Sequence, residues 1–398
     1  MKNFLLALLA VMLTYAAAEI AYRLYLHYAG DLTYHAASRS LHEYDSLSGF
    51  RFVPNARATT VSFYQRKPAL HNTISIGSYG NLGNGVKSWT DGDFKILAFG
   101  DSFTAYPFSY NSWSEYIAAP LSSTLGKNVE VMNLGRDGFG LLQMVRLANI
   151  TLQNTKADLA VIAFIPADLG RGRIWRTRVE VNGRERELIS TQQSATPDMD
   201  RASDVLLIEP AITPEWCKRV FDLSDSHNSL AERLHEQFRS LLADNLTSQF
   251  SLLTPLLYHR IRYGDPYYSV RKVLRNPPVG VQRFEEDKEF MQDLNGLLSK
   301  RIPVLFILLL GYEDLKAGEI LFSEHERRLY ESLNSILPRK VYSLLELEKV
   351  PENFIDSLFL LPYDRHPSER GAKWYAKGIV KVIRESGVLT QKGLPEKK

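Results

Sequence analysis

Short strand-like runs separated by helix-length segments constrain this chain more than any other feature. They fall at 95–99 (KILAF), 129–133 (VEVMN), 158–164 (DLAVIAF) and 304–310 (VLFILLL). Three of the four show no polar alternation, which marks strands buried on both faces. Segments with helical spacing, 114–125 and 141–154, separate the first three, as right-handed βαβ units require. A fifth strand is expected at 340–344 and a helix over 371–384. The expected class is therefore α/β, a mostly parallel sheet with helices on both faces.

Residues 170 to about 300 interrupt this rhythm. They hold a hairpin at 178–188, turning at Asn182-Gly183, and an amphipathic helix with Leu230, Leu234, Phe238, Leu241 and Leu242 on one face. We read them as an insertion between the third and fourth strands. Ahead of the first strand, 29–92 reads as an N-terminal extension with extended segments at 59–64 and 73–76 and a turn at Pro54-Asn55. Gly80, Gly83 and Gly85 lack both the dinucleotide fingerprint and the P-loop lysine, so 77–85 reads as a plain loop. The main domain is expected over 93–387 and a polar tail over 388–398.

Residues 1–28 carry an address. Lys2 precedes the apolar run 4–18, and Ala16-Ala17-Ala18 before Glu19 has the form of a signal-peptide cleavage site. The same run, continued to Leu26, is long enough for an uncleaved anchor. Retention as a membrane anchor, with the main domain outside the cytoplasm (periplasmic or at the cell surface), is the preferred expectation; secretion after cleavage is the alternative. The 398 residues contain 48 Lys+Arg and 45 Asp+Glu, a formal charge of +3. So small an excess does not suit a nucleic-acid binder. Cys217 is the only cysteine, which excludes an internal disulfide framework and a multi-thiolate metal site.

Chemistry in an open α/β sheet belongs at the carboxyl ends of the strands. Three such places carry suitable residues. Ser102, in Gly100-Asp101-Ser102-Phe103-Thr104, follows the first strand and precedes helical sequence; its hydroxyl is either exposed there as a nucleophile or spent as an ordinary N-cap. Gly138, in Asn133-Leu134-Gly135-Arg136-Asp137-Gly138, can take positive φ and turn its N–H toward an oxyanion, or simply bend the loop. Near the C-terminus, Asp364-Arg365-His366-Pro367-Ser368 puts a carboxylate and an imidazole two residues apart, so the carboxylate can orient the ring as a base for a serine.

In this order and spacing, GDSFT at 100–104, NLGRDG at 133–138 and DRHPS at 364–368 resemble the SGNH (GDSL-like) hydrolases. The resemblance covers about 93–170 and 300–385. It implies a flavodoxin-like three-layer α/β/α fold and serine esterase or acyl-transfer chemistry. Carried over by position, Ser102 is the nucleophile, His366 the general base and Asp364 the residue that orients it. The backbone N–H groups of Ser102 and Gly138 become the oxyanion donors. No cofactor or metal is expected. The N-terminal run, Pro54-Asn55 and Ser78-Tyr79-Gly80 are similar to exported, membrane-associated bacterial members.

Two departures stand out. The family's third block reads G-x-N-D, its asparagine supplying a further oxyanion donor. Here Ile165-Pro166-Ala167-Asp168 occupies that place, and Ala167 has nothing to donate; Asn133 and Arg171 are candidate substitutes. Tyr363 stands where many members have the aspartate of D-x-x-H, leaving Asp364 in the shorter D-x-H spacing.

Other chemistries find little support. There is no Gly-x-Ser-x-Gly elbow. His235-Glu236 and His325-Glu326 lack the second histidine of a zinc-protease helix. Arg171, Arg173, Arg176, Arg178, Arg184 and Arg186 read as a solvated hairpin balanced by Glu180, Glu185 and Glu187, or else as a rim for an anionic glycan. The expected function is an exported serine esterase acting on an O-acyl group of an envelope carbohydrate or lipid, with the membrane as a partner through the N-terminal segment. The alternatives are an O-acyltransferase on a surface polysaccharide and a non-catalytic glycan-binding or assembly protein.

Overall fold

The computed structural model describes residues 33–64, 67–83, 93–105, 111–181, 184–191, 193–195, 202–208, 210–218, 288–347, 350–361 and 364–389, together with Ala10 and Thr14. The rest of the apolar run 4–18, the turn residues Asn182-Gly183, the leucine-rich helix around Leu230, Tyr363 and residues 390–398 lie outside these. Among the described residues no helix is long and apolar enough to cross a membrane.

The strands are, in chain order, β1 (Thr33–Ala37), β2 (His42–Asp45), β3 (Gly49–Phe52), β4 (Arg57–Tyr64), β5 (Lys67–Ser75), β6 (Phe94–Gly100), β7 (Val129–Asn133), β8 (Leu159–Phe164), β9 (Trp175–Val181), β10 (Arg184–Ser190), β11 (Ala202–Ile208), β12 (Val304–Leu308) and β13 (Tyr342–Ser343). Five of them form a wholly parallel sheet ordered β13-β12-β8-β6-β7. The chain starts this sheet at β6, steps out to β7, then crosses back to β8, the 2-1-3-4-5 winding of flavodoxin-like folds. That reversal opens a crevice at the carboxyl ends of β6 and β8, where such sheets bind ligands.

The residues explain the layering. All six side chains of β8 are buried, and alternate positions serve opposite faces. Leu97, Phe99, Ile162 and Phe306 face helices Leu141–Asn154, Lys288–Leu298 and Glu324–Ile336 through Leu142, Val145, Leu294 and Leu333. Ile96, Ala98, Val161 and Ile307 face helix Glu369–Glu385 through Tyr375, Ile379 and Ile383, beside Trp113 and Leu121. Each large apolar side chain so buried contributes about 1.5–3 kcal/mol.

Some expected boundaries move. The helix expected over 114–125 is two, Trp113–Tyr116 and Ala118–Leu125, meeting at Ile117. Pro120 explains the restart, because it has no N–H to give the Tyr116 carbonyl and is tolerated only in a first turn. The fourth strand ends at Leu308, although Leu309 and Leu310 stay buried past its end. The fifth strand is only two residues long before helix Leu344–Leu347 begins.

The extension and the insertion build a second sheet together, ordered β5-β4-β1-β11-β10-β9. Parallel pairing of β1 with β11 joins the two contributions; every other pairing in it is antiparallel. This accessory sheet reaches the main one at the carboxyl end of β6. There Ala37 and Leu206 pack with Ala105 and with Phe52 of β3.

Candidate active site

β6 delivers Gly100 and Asp101 to the crevice, and a one-turn helix, Ser102–Ala105, follows at once. Asp101, not Ser102, caps that turn. Its Oδ1 accepts the Phe103 N–H at 2.9 Å, and its carbonyl accepts those of Thr104 and Ala105. The Ser102 hydroxyl is thereby released from capping, and its Oγ lies 2.7 Å from His366 Nε2. Ser102 is 8% exposed, enough to be reached and little enough to be dry.

His366 arrives from the other end of the chain on a loop pinned on both sides. Its carbonyl accepts the Leu360 N–H at 2.9 Å, the Ser368 N–H bonds Leu358, and the Ser368 hydroxyl caps helix Glu369–Glu385 by accepting from Gly371. The two-residue spacing from Asp364 closes as the sequence predicts. His366 Nδ1 and Asp364 Oδ2 are 2.8 Å apart, and the His366 backbone N–H also bonds Asp364 Oδ1. With Nδ1–H donated to the carboxylate, Nε2 is left to accept the serine proton. The Phe103 ring stands 5.5 Å from the imidazole and limits its movement.

The loop after β7 forms the third wall. Gly135 has to be glycine, since a Cβ there would fall 2.6 Å from the Ala105 nitrogen. The Arg136 N–H bonds the Gly100 carbonyl at 2.8 Å. Gly138 turns through φ +81°, the left-handed region that glycine enters without strain.

Electrostatics bias the pair toward an ion pair. Burial works against it, but the charge and hydrogen bond of Asp364, then Asp137 and Asp101, raise His366 to about 9. The same contact holds Asp364 well below the usual carboxylate range in spite of burial. The bare sequence leads one to expect a histidine titrating at about 6–7; the three surrounding carboxylates move it. Only the neutral ring can accept a proton, so ester turnover should climb with pH from 6 toward 9 instead of levelling off near 7. The check is a kcat/KM profile on one activated ester. A plateau already complete at neutral pH would contradict it.

The structure corrects the search for a third oxyanion donor. Asn133 is committed as a brace, donating Nδ2–H to the Thr104 carbonyl at 2.7 Å and accepting the Gly135 N–H on Oδ1. Arg171 is committed as well, lying 2.6 Å from Asp168 and 3.6 Å from Asp101 and donating to the Phe139 carbonyl. Burial raises the Asp101 carboxyl, and burial together with Asp101 raises Asp168; Arg171 opposes both shifts. Ala167 is exposed on the turn Pro166–Gly170. Placing an amide there, as Ala167→Asn, should raise kcat on an activated ester, by at most the roughly 10²–10³ that one donor is worth. An unchanged kcat in a variant with the wild-type melting temperature would show that no oxyanion forms beside residue 167.

Two other features were invisible in the sequence. His35 on β1 lies with its Nδ1 2.8 Å from Ser62 Oγ. Burial pushes it down to about 4 against the pull of Asp364 and Asp137, so this second histidine is neutral at ordinary pH. The arginine run divides as well: Arg178 pairs with Glu185 near the surface, but Arg176 is buried between Asp137 and Glu187. Neither a solvated hairpin nor a glycan rim describes Arg176. Among the described residues no group of acidic, histidine or cysteine side chains is arranged to hold a metal.

No family model matches the chain, and no curated protein matches it. Solved structures resemble it distantly. A lipase, Lip_vut3 from a goat rumen metagenome, aligns over 74% of this chain and 98% of its own at 12% identity, with a TM-score of 0.31. Axe2, an acetylxylan esterase from Geobacillus stearothermophilus, aligns over 73% of this chain and 94% of its own at 14% identity and TM-score 0.23. Likenesses this weak decide nothing about the chain.

Proposed function

We propose that this protein is a serine hydrolase of SGNH type that cleaves carboxylic esters. One observation carries the reading: Ser102 Oγ, His366 Nε2, His366 Nδ1 and Asp364 Oδ2 form a continuous chain of contacts at 2.7 and 2.8 Å, at the switch point of a parallel sheet. In the first step Nε2 takes the Oγ proton while Oγ bonds to the ester carbonyl carbon. The charge that develops on the carbonyl oxygen is met by the N–H groups of Ser102 and Gly138. The tetrahedral adduct collapses, the ester C–O bond breaks, and His366 returns the proton to the leaving alcohol. Water, deprotonated by the same ring, then releases the acid and regenerates Ser102.

The substrate assigned to this site is an O-acyl group on an envelope carbohydrate or lipid. Support for that part comes from the apolar run 4–18, which would hold the catalytic domain at a membrane outside the cytoplasm. A sugar hydroxyl in place of water at the second step would make the same site an acyltransferase. The test is covalent labelling of the full chain in detergent with a fluorophosphonate, followed by mapping of the modified peptide. Labelling at Ser102 supports the reading, and an intact folded chain without label at Ser102 overturns it.

A further inference from the structure

The accessory sheet contributes a side chain that ends at the turn before Gly138. Arg176 lies on β9, and its side chain is 2% exposed. Its Nη2 donates to both the backbone carbonyl of Asp137, at 3.2 Å, and the Asp137 carboxylate, at 2.6 Å. Asp137 is the residue just before Gly138, so one guanidinium nitrogen fixes the orientation of the peptide that presents the Gly138 N–H. On its other side Arg176 is 3.8 Å from Glu187 and lies over the Phe50 ring at 4.7 Å from its centroid. Glu187 is held in turn by Ser40, by the N–H groups of Leu41 and His42, and by His42 Nδ1. A buried scaffold thus stands behind the two hydrogen bonds that Arg176 gives to the Asp137 turn.

We propose that Arg176 is a positioning residue for ester cleavage, acting through Asp137 to hold the Gly138 N–H where the oxyanion develops. This rests on the serine-hydrolase reading above. Nothing in the family resemblance calls for an arginine here; it comes from a hairpin that the parallel sheet does not need. A second physical consequence supports it. Against burial, Arg176 and His366 keep Asp137 ionised below its usual range, so Arg176 neutralises a carboxylate that would otherwise repel the oxyanion at close quarters. A misplacement of about 1 Å at such a donor costs about 100-fold.

The experiment is a double-mutant cycle on kcat with one activated ester, using Arg176→Met, Asp137→Ala and the double variant, at a temperature well below every melting transition. Each kcat is taken from the plateau of that variant's pH profile, because the Asp137 charge also raises His366. Each single variant should lose about 10- to 100-fold in kcat with KM within about twofold, because substrate binding does not need the oxyanion donor. The double should lose no more than Arg176→Met alone, since Asp137→Ala breaks only one of the two contacts that Arg176→Met removes. Asp137→Asn, which keeps a side-chain oxygen for Arg176, should recover most of the loss. A merely structural role would lower melting temperature without this split between kcat and KM and without the rescue. Either single within twofold of wild-type kcat, or losses that multiply in the double, overturn the proposal while leaving the hydrolase reading intact. If the wild type neither turns over ester nor labels at Ser102, both fall.

Discussion

Alanine at Ser102 is expected to remove ester hydrolysis almost completely while leaving the fold untouched. The hydroxyl makes no capping bond, because Asp101 already satisfies the first N–H groups of the turn. Its loss therefore deprives the protein of one contact, that with His366 Nε2. Chemically it deprives the proposed site of its attacking atom. Members of such a triad act as a unit, so the loss should approach 10⁶-fold in kcat, down to the residual about 10³–10⁴ over water that binding and the oxyanion donors supply. His366→Ala should come close to the same floor. The measurements are kcat on a short-chain aryl ester and thermal melts of wild type and both variants. More than a few per cent of wild-type turnover in a folded Ser102→Ala protein would mean that another residue attacks.

The largest effect on stability should come from Glu187, a residue far from the chemistry. Its carboxylate is 1% exposed and serves Ser40, the Leu41 and His42 N–H groups and His42 Nδ1, with Arg176 beyond. Burial keeps His42 below its usual pKa in spite of the Glu187 carboxylate beside it. Burial also works against ionisation of Glu187, but His42, Arg176 and Ser40 outweigh it and hold the carboxylate down to about 2. Glu187→Ala leaves those donors orphaned and a buried guanidinium with one carboxylate fewer, which costs about 3–5 kcal/mol. The corresponding fall in melting temperature is about 5 °C for a chain of this length. Glu187→Gln, which keeps an acceptor, should lose less. The pH sign follows from the depressed carboxylate: its contribution is present above about pH 4.5 and disappears as the pH falls toward 2. A melt of Glu187→Ala that coincides with wild type would show that the network is dispensable.

The parallel sheet was legible because its strands are buried on both faces and so lack polar interruptions; Leu159 to Phe164 could hardly be anything else. The hairpin was legible through Asn-Gly, and β9 and β10 flank those two residues in register, Val181 opposite Arg184. The Ser102–His366–Asp364 contacts were legible because the turn chemistry around each residue is local: a strand end, a two-residue spacing, a serine cap. What stayed hidden depends on distant pairing. β1, β4 and β5 are mixed in polarity, and nothing in β1 announces that its parallel partner is β11. Arg176 and Asp137 are 39 residues apart with no periodic relation, and each looks like surface charge until the accessory sheet buries the guanidinium. The elevated pKa of His366 was hidden for the same reason, since it takes carboxylates from three separate loops.

The pairing of β1 with β11 also bears on how the chain is made. Ala36 sits opposite Leu207, roughly 170 residues later. On a ribosome adding about 5–20 residues per second, the interval between them is on the order of ten seconds or more. During that time β1, β4 and β5 can zip into a meander, while the free side of β1 offers an unsatisfied row of N–H and C=O groups to any passing strand. The parallel core needs none of these strands and can nucleate around β6 and β8 meanwhile. The Asp137 turn, made with β7, has to wait for β9 to bring Arg176 to it. Whatever covers the open edge of β1 until residue 202 is made also keeps it from pairing with the wrong strand.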